Sequence, residues 1–423
     1  MRAIALLLVT LLGVIAPGFA TAHPMAESRV WVDTTAQGLN LTLNLPLNQL
    51  GLAYGHTLDG EPHQVLARER EGLSRYLLAH IGARSGTQGW LALRPELSVS
   101  GQTPAAELVA QMRLVAPIGQ DPRQGELLLD VVTHEVRSHR VQVFLRHDWA
   151  SGRVALAEVL PQPLAELRYG QGSVALTLPA SRTGASWLSL WQHGMAHIAE
   201  GSDHLAFLLL LVVVAPLGMN NGRWAAPRPA RQAWQHIGWV VSAFTLGHAL
   251  TLTLGSTGWL SLPSQWVEVG VALTIALAAV HALRPIFGRG ETLVALGFGL
   301  VHGMAFSASL SGAGLSAWQH AQALMAFNLG IETMQGLVLL ATLPPLLKLA
   351  GQGQRLAWLR RGLAIACFDI ALLWTAERLA WLPTGTSAWV DSLLSQGIWL
   401  PGMLWLIALW PAHTGPTPCR QTA

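Results

Sequence analysis

From Ser186 onward the chain is a succession of long apolar stretches, and nothing else in the sequence constrains the fold so strongly. They run His197–Leu217, Gln235–Gly255, Trp266–Leu283, Thr292–Gly312, Gln319–Leu347, Leu363–Leu382 and Leu394–Trp410. Each is close to the roughly 20 residues an α-helix needs to cross the hydrocarbon of a bilayer. Backbone amides find no water there, so the spans must be helices. The expected fold class is an α-helical polytopic membrane bundle over residues 186–411, with seven spans, or six if the last is only interfacial. The fifth stretch is overlong and should bend or tilt near Pro344-Pro345.

The amino-terminal part has a different character. Residues 1–22 read as a secretory signal peptide: Arg2 is the positive flank, Ala3 to Ile15 the apolar core, and Ala20-Thr21-Ala22 the cleavage site. Residues 23–180 then alternate with period two, as in Leu39 to Leu45, Arg140 to Leu145 and Ser173 to Leu178. Such alternation argues for half-buried strands, so this region is expected to be a secreted, mostly β, extracytoplasmic domain. Glu61 to Ile81 reads instead as a helix.

Charge supplies an independent check. Charged residues make up 12% of the 423, against about 25% in an average soluble domain. The deficit is uneven: residues 23–185 hold 14 Arg and 15 acids, whereas residues 186–423 hold 11 bases and 8 acids. Nine of those bases fall in three alternate loops: Arg223, Arg228, Arg231; Arg284, Arg289; Lys348, Arg355, Arg360, Arg361. The positive-inside rule makes those loops cytoplasmic, which agrees with a β domain exported by the signal. The expected location is therefore a bacterial inner membrane, with residues 23–180 periplasmic and a cytoplasmic tail at 412–423. Trp191, Trp234, Trp259, Trp266, Trp318 and Trp410 fall near span ends, as an interfacial belt facing membrane lipid would. A net charge of +3 with a single Lys argues against a nucleic-acid partner. Cys367 and Cys419 form no CxxC pair, which argues against a thiolate metal site or disulfide framework.

An ionised side chain at a bilayer centre costs on the order of 2.5–3.5 kcal/mol on insertion scales, so clusters of polar residues inside the spans carry information. The first is His193, His197, Glu200, Asp203 and His204. On a continuous helix, 193, 197, 200 and 204 form one stripe, beside which Asp203 would orient an imidazole or ligate directly. His248 lies in the second span, His302 in the fourth, and Asn328, Glu332 and Gln335 share a face of the fifth. Singly, a buried histidine is often a packing residue. Helix rise places His204, His248, His302, Asn328 and Glu268 in the middle to outer part of the bilayer, where they would converge on one site. Glu268 alone reads as an interfacial carboxylate, and Glu377-Arg378 as a structural ion pair. Ala295, Gly299, Gly303, Ser307 and Ser311 recur every four residues, a small-residue stripe that lets helices approach closely. Imidazole, carboxylate and amide without thiolate suit nickel, cobalt, zinc or copper(II), held exchangeably as substrate. Glu332 or Glu268 would exchange a proton for the metal.

His197-Ile-x-x-Gly-x-Asp203-His204-Leu, Phe244-Thr-x-Gly-His248-x-Leu-Thr-Leu, His302-Gly-Met-Ala-Phe and Phe327-Asn-x-Gly-x-Glu332 occur in this order. The set resembles the HupE/UreJ family, in its branch with a long extracytoplasmic domain. The resemblance covers about residues 185–382. It implies a nickel or cobalt permease serving hydrogenase and urease maturation, with periplasmic or metalloenzyme-maturation partners. It also implies His197, Asp203, His204, His248, His302, Asn328 and Glu332 as metal-pathway residues; His193, Glu200, Glu268 and Gln335 are weaker candidates. The His-x5-Asp-His spacing is one residue longer than the His-x4-Asp-His signature of nickel/cobalt permeases.

The leading function is a secondary permease or facilitator for a divalent transition metal, and not an enzyme. An intramembrane zinc hydrolase is the competing reading, since an Asp and three His among several spans resemble ceramidase-like membrane hydrolases. HExxH and GxSxG, the marks of other intramembrane proteases, are absent. A third reading is a non-transporting assembly or sensing protein whose β domain captures a ligand: His23 would become an amino-terminal chelator, while His139 and His147 read as ordinary exposed positions. There is no GxxxxGK[ST], so the chain is not itself an ATPase.

Overall fold

The computed structural model describes residues 27–103, 105–154, 162–176, 178, 181, 184–260, 262–306, 315–395 and 400–410. The expected signal peptide, His23 and the 412–423 tail lie outside the described residues. The chain divides into two compact units: residues 1–32, 36–145 and 162–177, and residues 33–35, 146–161 and 178–423.

The amino-terminal β-rich region, most of which is the first unit, holds strands β1 (Ser28–Thr35), β2 (Gly38–Pro46), β3 (Ile81–Ser85), β4 (Gln88–Gly89), β5 (Leu91–Ala92), β6 (Glu96–Ser100), β7 (Glu107–Val115), β8 (Glu126–Leu129), β9 (Val141–Asp148), β10 (Arg153–Val154), β11 (Ala165–Leu167) and β12 (Ser173–Ala175). One sheet runs β10-β9-β1-β2-β7-β5, with β11 added to β9 and β6 to β7; a second runs β12-β8-β3-β4. The alternation read from the sequence sets the register. Leu39, Leu41, Leu43 and Leu45 of β2 stand opposite Leu114, Met112, Ala110 and Leu108 of β7, and all eight are buried. A one-residue slip would turn the whole set to the other face.

Two helices interrupt the strands: α1 (Leu47–Tyr54) and α2 (Pro62–His80). The second occupies the stretch expected to be helical. Glu61 caps it by accepting the Gln64 N–H at 2.9 Å, with Pro62 in the first turn, where its missing N–H costs nothing. His139 and His147 correct the sequence reading, because both are buried rather than exposed. His139 precedes β9 and its Nε2 is 2.8 Å from Ser28 Oγ. The alternation of apolar neighbours drew these histidines inward with β9.

The second unit contains α3 (Ala185–Glu200), α4 (Ser202–Val214), a hairpin of β13 (Leu217–Asn220) and β14 (Arg223–Pro227), α5 (Ala230–Ser256), α6 (Ser264–Leu283), α7 (Glu291–Phe306), α8 (Ala317–Ala350), α9 (Gln354–Arg378), α10 (Ala388–Ser395) and α11 (Leu400–Leu409). Leu217, expected to end the first span, instead opens the hairpin. It turns through Asn221 and Gly222 at φ 50° and 67°, the residues a two-residue type I′ turn favours.

The first apolar stretch is not one helix. α3 and α4 meet at 71°, broken at Gly201, whose backbone is extended (φ −73°, ψ 103°). The expected stripe of 193, 197, 200 and 204 is therefore divided between two helices. The fifth stretch, by contrast, is a single helix running through Pro344 and Pro345.

Among the described residues three helices, α5, α6 and α8, are long and apolar enough to cross a membrane, and a fourth span is present if the bent α3–α4 pair counts as one. The expected six or seven are not reached on that measure. α7 is apolar but has only 16 residues, α9 carries several charges within its 25 residues, and α11 has only 10. The bundle nevertheless presents apolar side chains outward. Trp239, Leu246, Leu250, Leu293 and Leu340 are each more than half exposed, a surface suited to lipid contact. The chain is a multi-pass membrane protein with an amino-terminal β-rich region.

Candidate metal centre

Two close helix crossings bring the polar residues together. At the first, a Cβ on Gly299 of α7 would overlap the Phe244 carbonyl of α5 and stand 3.0 Å from the His248 nitrogen. Gly303 meets the His248 carbonyl and Gly247 the Leu296 carbonyl in the same way. Absence of side chains at these positions lets the two backbones touch, as the small-residue stripe led one to expect; Ser307 and Ser311 lie outside the described residues. The second crossing joins α3 to α8. A Cβ on Gly194 would sit 3.1 Å from the Gly330 Cα and overlap the Phe327 carbonyl. That glycine pair was not recognised in the sequence, because it lies in two segments 136 positions apart.

Five of the singled-out residues meet where these crossings adjoin. Ligand atoms of His197, His204 and His248 all lie within 4.8 Å of one another, and those of Asp203, His204 and His302 form a second such group sharing His204. His248 and His302 are fully buried and His204 nearly so. The imidazole centroids of His197 and His204 are 4.6 Å apart, and those of His204 and His302 5.3 Å. Phe244, Phe306 and Phe327 wall the cluster, with Phe306 and Phe327 at 4.5 and 5.5 Å from the His197 ring.

The hydrogen bonds fix how the rings are presented. Asp203, in the first turn of α4, accepts the His204 backbone N–H and Nδ1–H, each at 2.8 Å. Its charge is favoured at a helix amino terminus, and this is where Gly201 ends α3. A Cβ at Gly201 would stand 2.7 Å from His204 Nδ1, so the break and the Asp203–His204 pair require one another. Thr274 of α6 donates its hydroxyl to the Val271 carbonyl at 2.6 Å and therefore accepts from His302 Nε2–H at 2.9 Å. That leaves His302 Nδ1, buried without a partner, as the ring's acceptor nitrogen. Locking one ring nitrogen to a hydroxyl or carboxylate while the other faces the ion is how metal-binding histidines are commonly held. Among the described residues, His197 Nε2 and His302 Nδ1 are buried without a hydrogen-bond partner, and His248 has only the Asn328 amide beside it. Such groups are costly to bury, and a cation held by either ligand group would satisfy its members.

The remaining candidates occupy other places. Asn328 stands beside His248, its amide donating to the Leu324 carbonyl at 2.8 Å. Gln335 is buried one layer further along α8 and accepts the Thr245 hydroxyl at 2.9 Å. Glu332 is exposed, with Ser242 Oγ at 3.4 Å from its carboxylate, and does not join the cluster. His193 lies one turn before His197, outside both groups. Glu200 and Glu268 line an open cavity of about 740 Å³ together with Asp203, Glu377, Arg378 and Asp391. Acids outnumber the single base there, so the cavity favours cations, and Asp203 belongs both to it and to the buried cluster. The supposed Glu377–Arg378 ion pair is not formed. Glu377 accepts the Gly385 and Ser387 amides at 2.5 and 2.9 Å, and Arg378 instead meets Glu268 at 3.5 Å.

A further buried polar group was missed in the sequence. Glu291, the first residue of α7, lies 2.5 Å from His236 Nε2 and 3.3 Å from His281 Nε2. Each of the three stands near a helix end and reads individually as a terminal polar residue.

Residues 175–378 match the family model described as HupE / UreJ protein. No curated protein and no solved structure matches the chain.

Proposed function

We propose, from the premise that residues 175–378 are a HupE/UreJ family domain, that the chain is an inner-membrane permease or facilitator for a divalent transition metal, nickel or cobalt. The family is associated with nickel and cobalt uptake or with urease and hydrogenase maturation. One observation supports transport by this chain in particular: four imidazoles and a carboxylate from four helices form two overlapping ligand groups that share His204. Overlapping groups let an ion change partners without being released into hydrocarbon. Nitrogen and oxygen donors without thiolate suit borderline ions and keep binding reversible.

In this reading the acidic cavity gathers hydrated cations and Asp203 passes them to the His197–His204–His248 and His302 ligands. Asn328 supplies an amide oxygen at the His248 side, while Glu332 takes up or releases a proton beside the path. Residues 23–180 are periplasmic and the carboxy terminus cytoplasmic, following the distribution of arginine among the loops. Catalysis is not part of this role.

The test is uptake by the purified full chain in liposomes across Ni²⁺, Co²⁺, Zn²⁺ and Cu²⁺. Saturable entry of nickel or cobalt that is abolished by His204→Ala with His248→Ala is the expected result. Uptake unchanged by that pair would refute the pathway. Tightly retained stoichiometric zinc with lipid amide hydrolysis and no transport would favour the hydrolase instead.

A further inference from the structure

The β-rich unit carries a second constellation of histidine and carboxylate, unconnected with any motif in the spans. His80 is the last residue of α2, Asp130 follows β8, and His134 lies one turn beyond. Their ligand atoms all lie within 4.8 Å of one another. In a tetrahedral site with bonds of about 2.0–2.1 Å, neighbouring ligand atoms stand roughly 3.3 Å apart, so small side-chain rotations bring members of this group to coordinating distance.

Each ring is held through one nitrogen. His80 Nδ1–H donates to the Asp130 carboxylate at 2.9 Å, and His134 Nδ1–H donates to the Asp130 main-chain carbonyl at 3.1 Å. A single residue thus holds two imidazoles through Nδ1 and leaves Nε2 of each as the atom to meet an ion, the arrangement in which histidines bind metals with a carboxylate or carbonyl behind them. The rings lie almost parallel, 19° from coplanar with centroids 4.0 Å apart. All three residues are only partly buried, with Asp130 and His80 side chains 44% and 23% exposed.

The frame around them is rigid. The Asp130 amide donates to the His80 carbonyl at 3.3 Å and the His134 amide to the Asp130 carbonyl at 2.9 Å. Between them Val132 adopts φ 64°, a conformation costly for a β-branched residue. Its N–H is held by the Tyr76 hydroxyl oxygen at 3.1 Å, and the Tyr76 ring stands 4.5 Å from the His80 ring.

We propose that His80, Asp130 and His134 form a solvent-accessible binding site for a divalent transition ion on the β-rich unit, separate from the cluster among the spans. The two imidazoles bind the ion while Asp130 holds both rings from behind, and the remaining positions go to water, as an exchangeable collecting site requires. Its use in supplying the permease rests on the function proposed above; ion binding by these residues does not.

The experiment uses the full chain in detergent carrying His204→Ala with His248→Ala, so that the membrane cluster contributes nothing whether or not it binds. Equilibrium dialysis against Ni²⁺ or Zn²⁺ should find about one bound ion per chain, weakened at least tenfold by adding His80→Ala and His134→Ala. A second measurement avoids substitutions altogether. In the unaltered chain, modification of histidine by diethyl pyrocarbonate, read by mass spectrometry, should slow several-fold at His80 and His134 when Zn²⁺ is present. The exposed His56 and His63 should react at the same rate in both conditions. No bound ion in the His204/His248 variant, or equal labelling of His80 and His134 with and without Zn²⁺, overturns the proposal.

Discussion

Replacing Gly299 with alanine probes the crossing on which the metal centre depends. The added methyl would overlap the Phe244 carbonyl oxygen and stand 2.9 Å from its carbon and 3.0 Å from the His248 nitrogen. Non-bonded atoms prefer about 3.5–4.0 Å, so α5 and α7 must part by more than about 1 Å at this level. His248 is itself one of the crowded residues, and His302 lies one turn further along α7. Metal–ligand bonds tolerate only about 0.2 Å, so the shift exceeds what the site can absorb. Strain from overpacking is typically about 1–3 kcal/mol, offset in part by up to about 1 kcal/mol from replacing a helical glycine. Stability should therefore fall by about 1–2 kcal/mol, while ion affinity falls about 10- to 100-fold, the usual cost of disturbing the groups behind metal ligands. Gly297 provides the control, being on the same helix with nothing within 4 Å of its added methyl. Uptake into liposomes and thermal unfolding should be measured for both variants. If Gly299→Ala takes up nickel or cobalt as well as Gly297→Ala does, the crossing does not set the ligand geometry.

Three further outcomes follow from the same structure. Thr274→Val removes the acceptor that orients His302 and should weaken nickel binding about tenfold, measured by dialysis, whereas Glu268→Gln in the outer cavity should lower capture a few-fold without changing the maximal rate. Glu291→Gln leaves His236 and His281 without their shared carboxylate and should cost about 3 kcal/mol of stability, as removing one partner of a buried pair does, seen as a lowered melting temperature in detergent. Acid should loosen the β-rich unit: burial pushes His139 down to about 4, so between pH 6.5 and 4 the unfolded chain binds a proton that the folded chain does not. Stability is then full above pH 6.5 and declines as pH falls toward 4, by about 3 kcal/mol at the limit. Denaturant melts of the full chain at pH 7 and 4.5 should show this loss, and His139→Gln should reduce it.

Which parts of this architecture were legible in the sequence follows from the range of the interactions involved. Strand alternation and apolar length are local patterns, so the β2–β7 leucine face and helices α5, α6 and α8 could be read directly. The convergence of His197, His204, His248 and His302 was readable because intramembrane histidines are rare and helix rise gives their depth. The break at Gly201 was not readable, since 193, 197, 200 and 204 keep perfect helical spacing across it. Only the carboxylate of Asp203 turning back on His204 shows why the helix restarts there. Glu332 lies apart from the cluster for a related reason: it shares a helical face with Asn328 by spacing, yet α8 turns that carboxylate toward Ser242. Thr274, the Gly194–Gly330 contact, the His236–Glu291–His281 group and the His80–Asp130–His134 group all depend on pairings between distant segments. No periodicity within one segment announces them.

Cobalt or nickel X-ray absorption on the full chain carrying His80→Ala and His134→Ala tests the membrane centre most directly. The account predicts a bound ion with at least three imidazole ligands at about 2.0–2.1 Å, reduced by one imidazole in a further His248→Ala variant. An ion surrounded by water and carboxylate oxygen alone, or a spectrum that His248→Ala leaves unchanged, would contradict it.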